Sequence, residues 1–293
     1  MSKSQLRSIF HDHKHYEDSM KLFYETVSNH GDREEWTNTV FRQVVSTKLP
    51  RIPEGAPLRV LGVGSGNGKT DYLLITKIKE RYPNIDNTAI EPIASHLDKY
   101  KALFTAERNN LEGVSTEFKQ QTIEEFEREN GSSNDKYHFI SAVHILYYLR
   151  DWQESIRYLY DILADGGVML IVIISEHGGQ TKVLRKTFPE GEEFFKTIDS
   201  ADLCKVLDKM GVKYERSRTP SRAKVIASYE DETDENNLWW DFLTHTINFR
   251  QTAPVELQKS VKELALGPEC CDPRQDDGTL LFKFDWEAII VHK

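Results

Sequence analysis

The sequence predicts a doubly wound α/β fold organised around residues 58–82, and three observations carry that prediction. Leu58, Val60, Leu61 and Val63 form a short apolar run, the mark of a buried parallel strand. Gly64, Ser65, Gly66 and Gly68 follow at once. Leu74, Ile78 and Tyr82 then recur at helical spacing over residues 69–82. Strand, glycine turn and helix make the opening unit of a nucleotide-binding sheet. Glycines there let the main chain approach a ligand that any Cβ would push away.

Composition narrows the function. The chain has 293 residues, a net charge of −9 and 39% hydrophobic residues. No basic stripe with interleaved aromatics is present, so nucleic acid is not an expected partner. An acidic chain suits a cationic small substrate, although acidity also serves solubility. Cys204, Cys270 and Cys271 make no C-x-x-C spacing; a reduced, cytoplasmic protein without a metal site is expected. The first residues lack the apolar core of a signal peptide. The longest apolar run, 168–174, is too short to span a bilayer.

The remaining elements follow in order. Tyr16, Met20, Phe23 and Val27 predict an amphipathic helix over 16–28. Asp32 and Glu35 fit a capping box for a second helix, with Trp36, Val40, Val44 and Val45 on one face. Pro50 and Pro53 end it. These two helices exceed what the core fold needs; they either cover the sheet or form a lid over a substrate. Residues 87–90 predict the second strand, with Glu91 at its C-terminal end, where a carboxylate can accept both ribose hydroxyls. Residues 96–104 continue as helix and 115–119 as the third strand. Gln121 and Thr122 come next, where an adenine ring edge would lie; Thr122 with Glu125 also fits a capping box. Residues 137–143 predict the fourth strand. Val143, His144, Tyr147 and Tyr148 at its end are placed to meet a bound ligand. Asp151 and Glu154 cap the next helix, and Gly166-Gly167 turns into the fifth strand. Helix 200–210 stops at Gly211, strand six covers 213–216, and Leu238-Trp-Trp-Asp-Phe-Leu opens an aromatic helix. Residues 280–291 predict a final strand antiparallel to strand six. No G-K-[ST] follows the first strand, which excludes a P-loop.

The Gly-x-Gly-x-Gly turn is tighter than the dinucleotide G-x-G-x-x-G and resembles motif I of class I S-adenosylmethionine-dependent methyltransferases. The helix, Gly-Gly, strand pattern at 152–174 resembles their post-motif region. Arg7-Ser-Ile-Phe-His-Asp-His, Ile90-Glu-Pro, Ile145-Leu-Tyr-Tyr-Leu-Arg-Asp, Leu238-Trp-Trp-Asp-Phe-Leu-Thr and Thr252-Ala-Pro are similar to the histamine N-methyltransferase family along nearly the whole chain. That resemblance implies a Rossmann-like class I methyltransferase sheet with helices on both faces, an antiparallel last strand and a substrate-covering region. It implies one methyltransferase domain over 1–293, with N-terminal helices in 1–50, a cofactor-binding core in 55–212 and the last strands with inserted covering region in 213–293. It also implies a cytoplasmic monomer that uses S-adenosyl-L-methionine.

The cofactor positions carry over. Gly64, Ser65 and Gly66 match the glycine turn, Glu91 the ribose-binding glutamate, Thr122 the adenine-side hydroxyl and Val143 the apolar residue beside the cofactor. His96 stands where the family has glutamine. The acceptor positions differ. The family's glutamate on the first helix falls at Asn29, its last-strand asparagine at Phe284, its glutamine beside the imidazole at His144, and two tryptophans at Gln180 and Leu184. Glu25 and Asp285 are carboxylates close to the changed positions. Tyr16, Tyr147, Tyr148 and Phe242 remain. The expectation is a small-molecule N-methyltransferase, with a histidine-containing dipeptide or another biogenic amine as alternative acceptors and a catalytically inactive binding homologue as the alternative class. Tyr147 and Tyr148 are expected to orient the nucleophile and His144 to orient it or take its proton.

Overall fold

A computed structural model describes residues 6–27, 29–131, 135–191, 194–226 and 228–293, and for Asn29 and His30 the backbone alone. The chain divides into two compact units. The first comprises Met1–Asp32, Ile174–Ala201 and Arg218–Trp286; the second comprises Arg33–Ile173, Asp202–Ser217 and Glu287–Lys293.

The second unit carries the sheet. Its strands are β1 (Leu58–Val63), β2 (Ile85–Ile90), β3 (Val114–Lys119), β4 (Tyr137–Val143), β5 (Leu163–Ile174) and β6 (Lys213–Thr219). After β7 (Arg222–Lys224) and β8 (Leu281–Lys283), which belong to the first unit, β9 (Trp286–His292) returns to it. The mixed seven-stranded order is β3-β2-β1-β4-β5-β9-β6. β1 is parallel to β2 and β4, and β4 to β5. The pairings Val63 with Ile90, Val63 with Ala142 and Val143 with Val172 bring the three strand ends level. Gly64, Glu91 and His144 therefore leave the sheet along one edge. Burial explains why the chain chooses these strands: Leu58, Leu61, Ile140, Val168 and Ile171 are fully buried. Each such side chain contributes about 1.5–3 kcal/mol when taken out of water.

In the first unit the helix His13–Glu25 lies against Asp234–Thr244. Phe23, Trp239, Phe242, Phe249 and Phe282 form its core. His15 Nε2 lies 2.8 Å from Asp241 Oδ2 and joins the two helices. Asp241 also accepts from the Asn248 and Phe249 amides at 2.7 and 2.9 Å, which satisfies a carboxylate that burial would otherwise strand.

Three expectations are corrected. The first helix ends at Glu25 rather than at Ser28, which lies outside the described residues. Asp32 and Glu35 are not a capping box, because the helix already begins at Asn29 and Asp32 sits inside its first turn. A π-helical segment, Thr37–Phe41, then joins it to Arg42–Thr47. The final strand is two strands. β8 pairs antiparallel with β7 in a separate sheet, and the chain breaks at Phe284 and Asp285 before β9. The break has a cause: Asp285 is 1% exposed and is held by Arg218 at 2.9 Å and Arg222 at 2.5 Å. That commitment also removes Asp285 as a spare carboxylate.

Candidate active site

The turn after β1 runs in left-handed conformation at Gly64 (φ 63°), Gly66 (φ 55°) and Gly68 (φ 78°). A Cβ at Gly64 would stand 2.5 Å from the Ile145 side chain, and one at Gly68 would overlap the Tyr100 ring. Around Gly66 the space is open. The turn is thus packed from below at two glycines and clear at the third, which leaves room for a ligand against its main chain.

Glu91 fixes the other wall. It is 4% exposed. Its Oε2 accepts from the Gly66 amide at 2.8 Å and its Oε1 from the Ile93 amide at 2.9 Å. A carboxylate has about four acceptor sites, so two remain for the hydroxyls of a ribose. His96 Nδ1 lies 3.8 Å from Glu91 Oε1. Thr122 caps the helix Ile123–Asn130 in a full capping box: its hydroxyl accepts from the Glu125 amide at 3.2 Å, and Glu125 accepts from the Thr122 amide at 2.9 Å. The Thr122 hydroxyl hydrogen is still available as a donor. The open glycine turn and the two unused lone-pair sites of Glu91 fit S-adenosylmethionine, the cofactor that the sequence resemblance implies.

Beneath the turn lies a buried carboxyl that periodicity did not mark. Asp71 is 7% exposed beside Ser65, and its pKa is pushed up to about 6, mainly by burial and further by the nearby charge of Glu91. A Cβ at Gly62 would fall on Asp71 Oδ2, so a glycine is required there too. The raised pKa means that the folded protein holds this proton where the unfolded chain has lost it. Wild-type stability relative to Asp71→Asn is therefore expected to decline as pH rises from about 4 to about 6. Urea midpoints across that range check it; a constant difference would contradict the assignment.

At the end of β4 His144 adopts a left-handed conformation (φ 52°). Its Nδ1 stands 3.4 Å from the Tyr147 hydroxyl, with the two rings stacked at 6.3 Å. Burial, helped by the Arg33 guanidinium, holds its pKa down at about 3. The imidazole is therefore neutral at pH 7, with one ring nitrogen able to donate a hydrogen bond and the other to accept one. Tyr147 is buried and Tyr148 is 44% exposed.

The first unit by itself holds the other residues that the sequence resemblance assigns to acceptor binding. Tyr16 and Phe242 stack at 6.4 Å. Phe284 is buried against Phe23 and Tyr24, at 5.0 and 6.2 Å. The Asn29 side chain lies outside the described part, and Glu25 is exposed. Three residues the sequence reading passed over join this cluster: Phe10 lies 5.0 Å from Tyr16 and 6.0 Å from Phe195, and His245 lies 4.5 Å from Phe195. Only the Arg7–His13 motif brushes this group in the sequence. Burial pushes the pKa of His245 to about 3. Its folded pKa is depressed, so its contribution is complete above pH 6.5 and is lost as pH falls towards 3. By pH 5 the loss is expected to reach about 2 kcal/mol, and His245→Asn, which also tolerates a left-handed backbone, is expected to lose less. Urea titrations of both proteins at pH 7 and 5 decide the point.

A cavity of about 340 Å³ lined by residues such as Arg51, Pro53, Tyr82 and Asn84 lies at the N-terminal ends of β1 and β2. Ligands of open α/β sheets bind at the opposite, carboxyl ends. Among the described residues no group of His, Cys, Asp or Glu could hold a metal ion, and no helix is long and apolar enough to cross a membrane.

A sheet of this order with a glycine turn and a strand-end glutamate defines a class I methyltransferase. The family model described as "Methyltransferase domain" matches residues 33–217, and the chain belongs to that family. More particularly, it is similar end to end to histamine N-methyltransferases. The rat enzyme is 29% identical, with 98% of each chain covered, and that of Xenopus tropicalis is 29% identical, with 99% of each covered. Among solved structures, the YcgJ protein of Bacillus subtilis superposes with a TM-score of 0.54 at 13% identity, covering 86% of this chain and 96% of its own. The plantazolicin methyltransferase BamL, solved with S-adenosylhomocysteine, does so at 0.51 and 15%, covering 97% and 92%.

Proposed function

We propose that the protein transfers a methyl group from S-adenosylmethionine to a nitrogen of a small amine or imidazole. The observation that carries this reading is the end-to-end similarity to histamine N-methyltransferases, at 29% identity over 98% of the chain. The built cofactor wall supports it. Glu91 takes the ribose hydroxyls, the open turn at Gly64, Ser65 and Gly66 takes the main part of the ligand, and Thr122 and His96 offer hydrogen bonds at its rim. Val143 supplies an apolar contact. The cofactor, when bound, supplies an electrophilic methyl on a sulfonium. An imidazole nitrogen of the pyridine type attacks such a methyl without prior loss of a proton. What the protein adds is alignment, worth up to about 7–11 kcal/mol. His144, neutral and set by its left-handed backbone, orients the nucleophile together with Tyr147; Tyr148 offers a ring face to a cationic acceptor.

The acceptor is assigned to residues in 1–50 and 213–293, and the cofactor to 55–212. Asn29 and Phe284 replace the carboxylate and amide that the family resemblance places there. The buried Phe284 side chain has no donor or acceptor atom to offer a ligand, which favours a histidine-containing dipeptide or another biogenic amine over histamine as acceptor. Three buried free thiols, Cys204, Cys270 and Cys271, suit a reducing cytoplasm, and we assign the protein there as a monomer. Incubation with ¹³C-methyl S-adenosylmethionine and histamine or carnosine, followed by NMR of the product, tests the reaction type. An N-methyl resonance is expected. Label on oxygen, on carbon or on the protein itself would overturn nitrogen transfer.

A further inference from the structure

His245 is a buried polar side chain that neither the fold nor the cofactor wall accounts for. It follows the helix Asp234–Thr244 in left-handed conformation, with φ 51° and ψ 31°. It is 2% exposed. Its main chain is satisfied, since its carbonyl accepts from the Ile9 amide at 2.9 Å. Its ring is not: Nδ1 is buried without a hydrogen-bond partner. Phe195 and Phe10 meet the imidazole edge-on at 4.5 and 5.1 Å, and Phe242 approaches to 6.2 Å. Both the unpaired nitrogen and the left-handed backbone of a non-glycine residue cost stability. An apolar side chain of similar size would fill this ring of aromatics without the first of those costs. Conformational strain and an unpaired polar atom held together in one place point to use by a ligand.

We infer that His245 is the polar contact for the methyl acceptor within this aromatic cluster, recognising the ammonium or ring N–H of a small aromatic amine; the inference rests on the acceptor reading above. The chemistry is complementary. A neutral imidazole offers one acceptor nitrogen, and the faces of Phe10, Tyr16, Phe195 and Phe242 attract positive charge. Asp241, the nearest carboxylate on the same helix, is committed to His15 and to two amides, so it does not compete for the ligand.

The test uses the full chain labelled at histidine, with the His245 resonance identified by its loss in His245→Gln. Histamine, tyramine and carnosine are titrated in turn, and turnover of each is measured as S-adenosylhomocysteine release. At least one amine is expected to move the His245 signal. His245→Leu is expected to raise the KM of that amine about tenfold or more with the KM of S-adenosylmethionine unchanged, His245→Gln to recover much of the loss, and the melting temperature of His245→Leu to hold. A His245 signal unmoved by all three amines would overturn the inference, even if one of them is methylated and the proposed reaction stands. Movement without turnover would keep His245 as an amine contact but overturn its assignment to a methyl acceptor, together with the transfer reading. A His245→Leu protein several degrees less stable, with acceptor KM unchanged, would make the imidazole structural and also overturn it.

Discussion

Replacing Glu91 by Gln is expected to weaken S-adenosylmethionine binding by about 30-fold or more. The carboxylate is buried, and each oxygen already receives one amide, from Gly66 and from Ile93. It therefore faces any ribose as a rigid double acceptor. A glutamine keeps the shape but turns one acceptor into an NH₂ donor. Whichever way the glutamine amide turns, that donor faces a backbone N–H, of Gly66 or of Ile93, so one amide pairing is lost and replaced by a donor–donor contact, and one acceptor for a ribose hydroxyl is gone. Truncating a buried, hydrogen-bonded charge typically costs about 2–5 kcal/mol of binding. Calorimetric titration with S-adenosylmethionine measures it, and the melting temperature of the variant shows whether the turn survives. An unchanged dissociation constant in a folded variant would remove Glu91 from the cofactor site.

The second large effect is expected at Gly68. Alanine there places a Cβ into the Tyr100 ring and leaves an alanine at φ 78°. Left-handed backbone costs about 1–2 kcal/mol, and forcing atoms into a packed site adds about 1–3 kcal/mol. Tyr100 cannot give way easily, because it is 1% exposed, packs against Phe118 and receives the Asn87 amide. Gly66 supplies the control. Its φ is 55°, but nothing lies within 4 Å of the added atom, so Gly66→Ala is expected to pay the backbone cost alone. Denaturant unfolding should place Gly68→Ala about 2–5 kcal/mol below wild type, and Gly66→Ala less than about 2 kcal/mol below it. Equal losses would mean that the Tyr100 contact does not shape the turn.

The central strands β1 and β5 were legible because strands buried on both faces read as apolar runs, complete at 168–174 and interrupted by Arg59 at 58–63. Glu91 was legible because the strand before it fixes where its side chain emerges. The last strand was not, because its break depends on Asp285 meeting Arg218 and Arg222, residues more than sixty positions away. The Asp32–Glu35 signature misled for a related reason. It is a local pattern, whereas the helix from Asn29 is held by contacts such as the Trp36 indole to Ser217 at 3.0 Å. His144 falls at the strand end where the apolar run before it places it, whereas the lowering of its pKa was not legible, since burial and Arg33 cause it and neither shows in the neighbouring residues. Asp71 and His245 carry no periodic signal at all; only their surroundings set them apart.

The most direct measurement is S-adenosylhomocysteine release by the purified chain given S-adenosylmethionine and, one at a time, histamine, histidine, carnosine and common biogenic amines. Turnover that depends on one of these small acceptors and falls in Glu91→Gln at cofactor concentrations near the wild-type dissociation constant is the expected result. Cofactor binding without release for any of them, or release only with a protein or nucleic-acid acceptor, would contradict the assignment of this chain to small-molecule N-methylation.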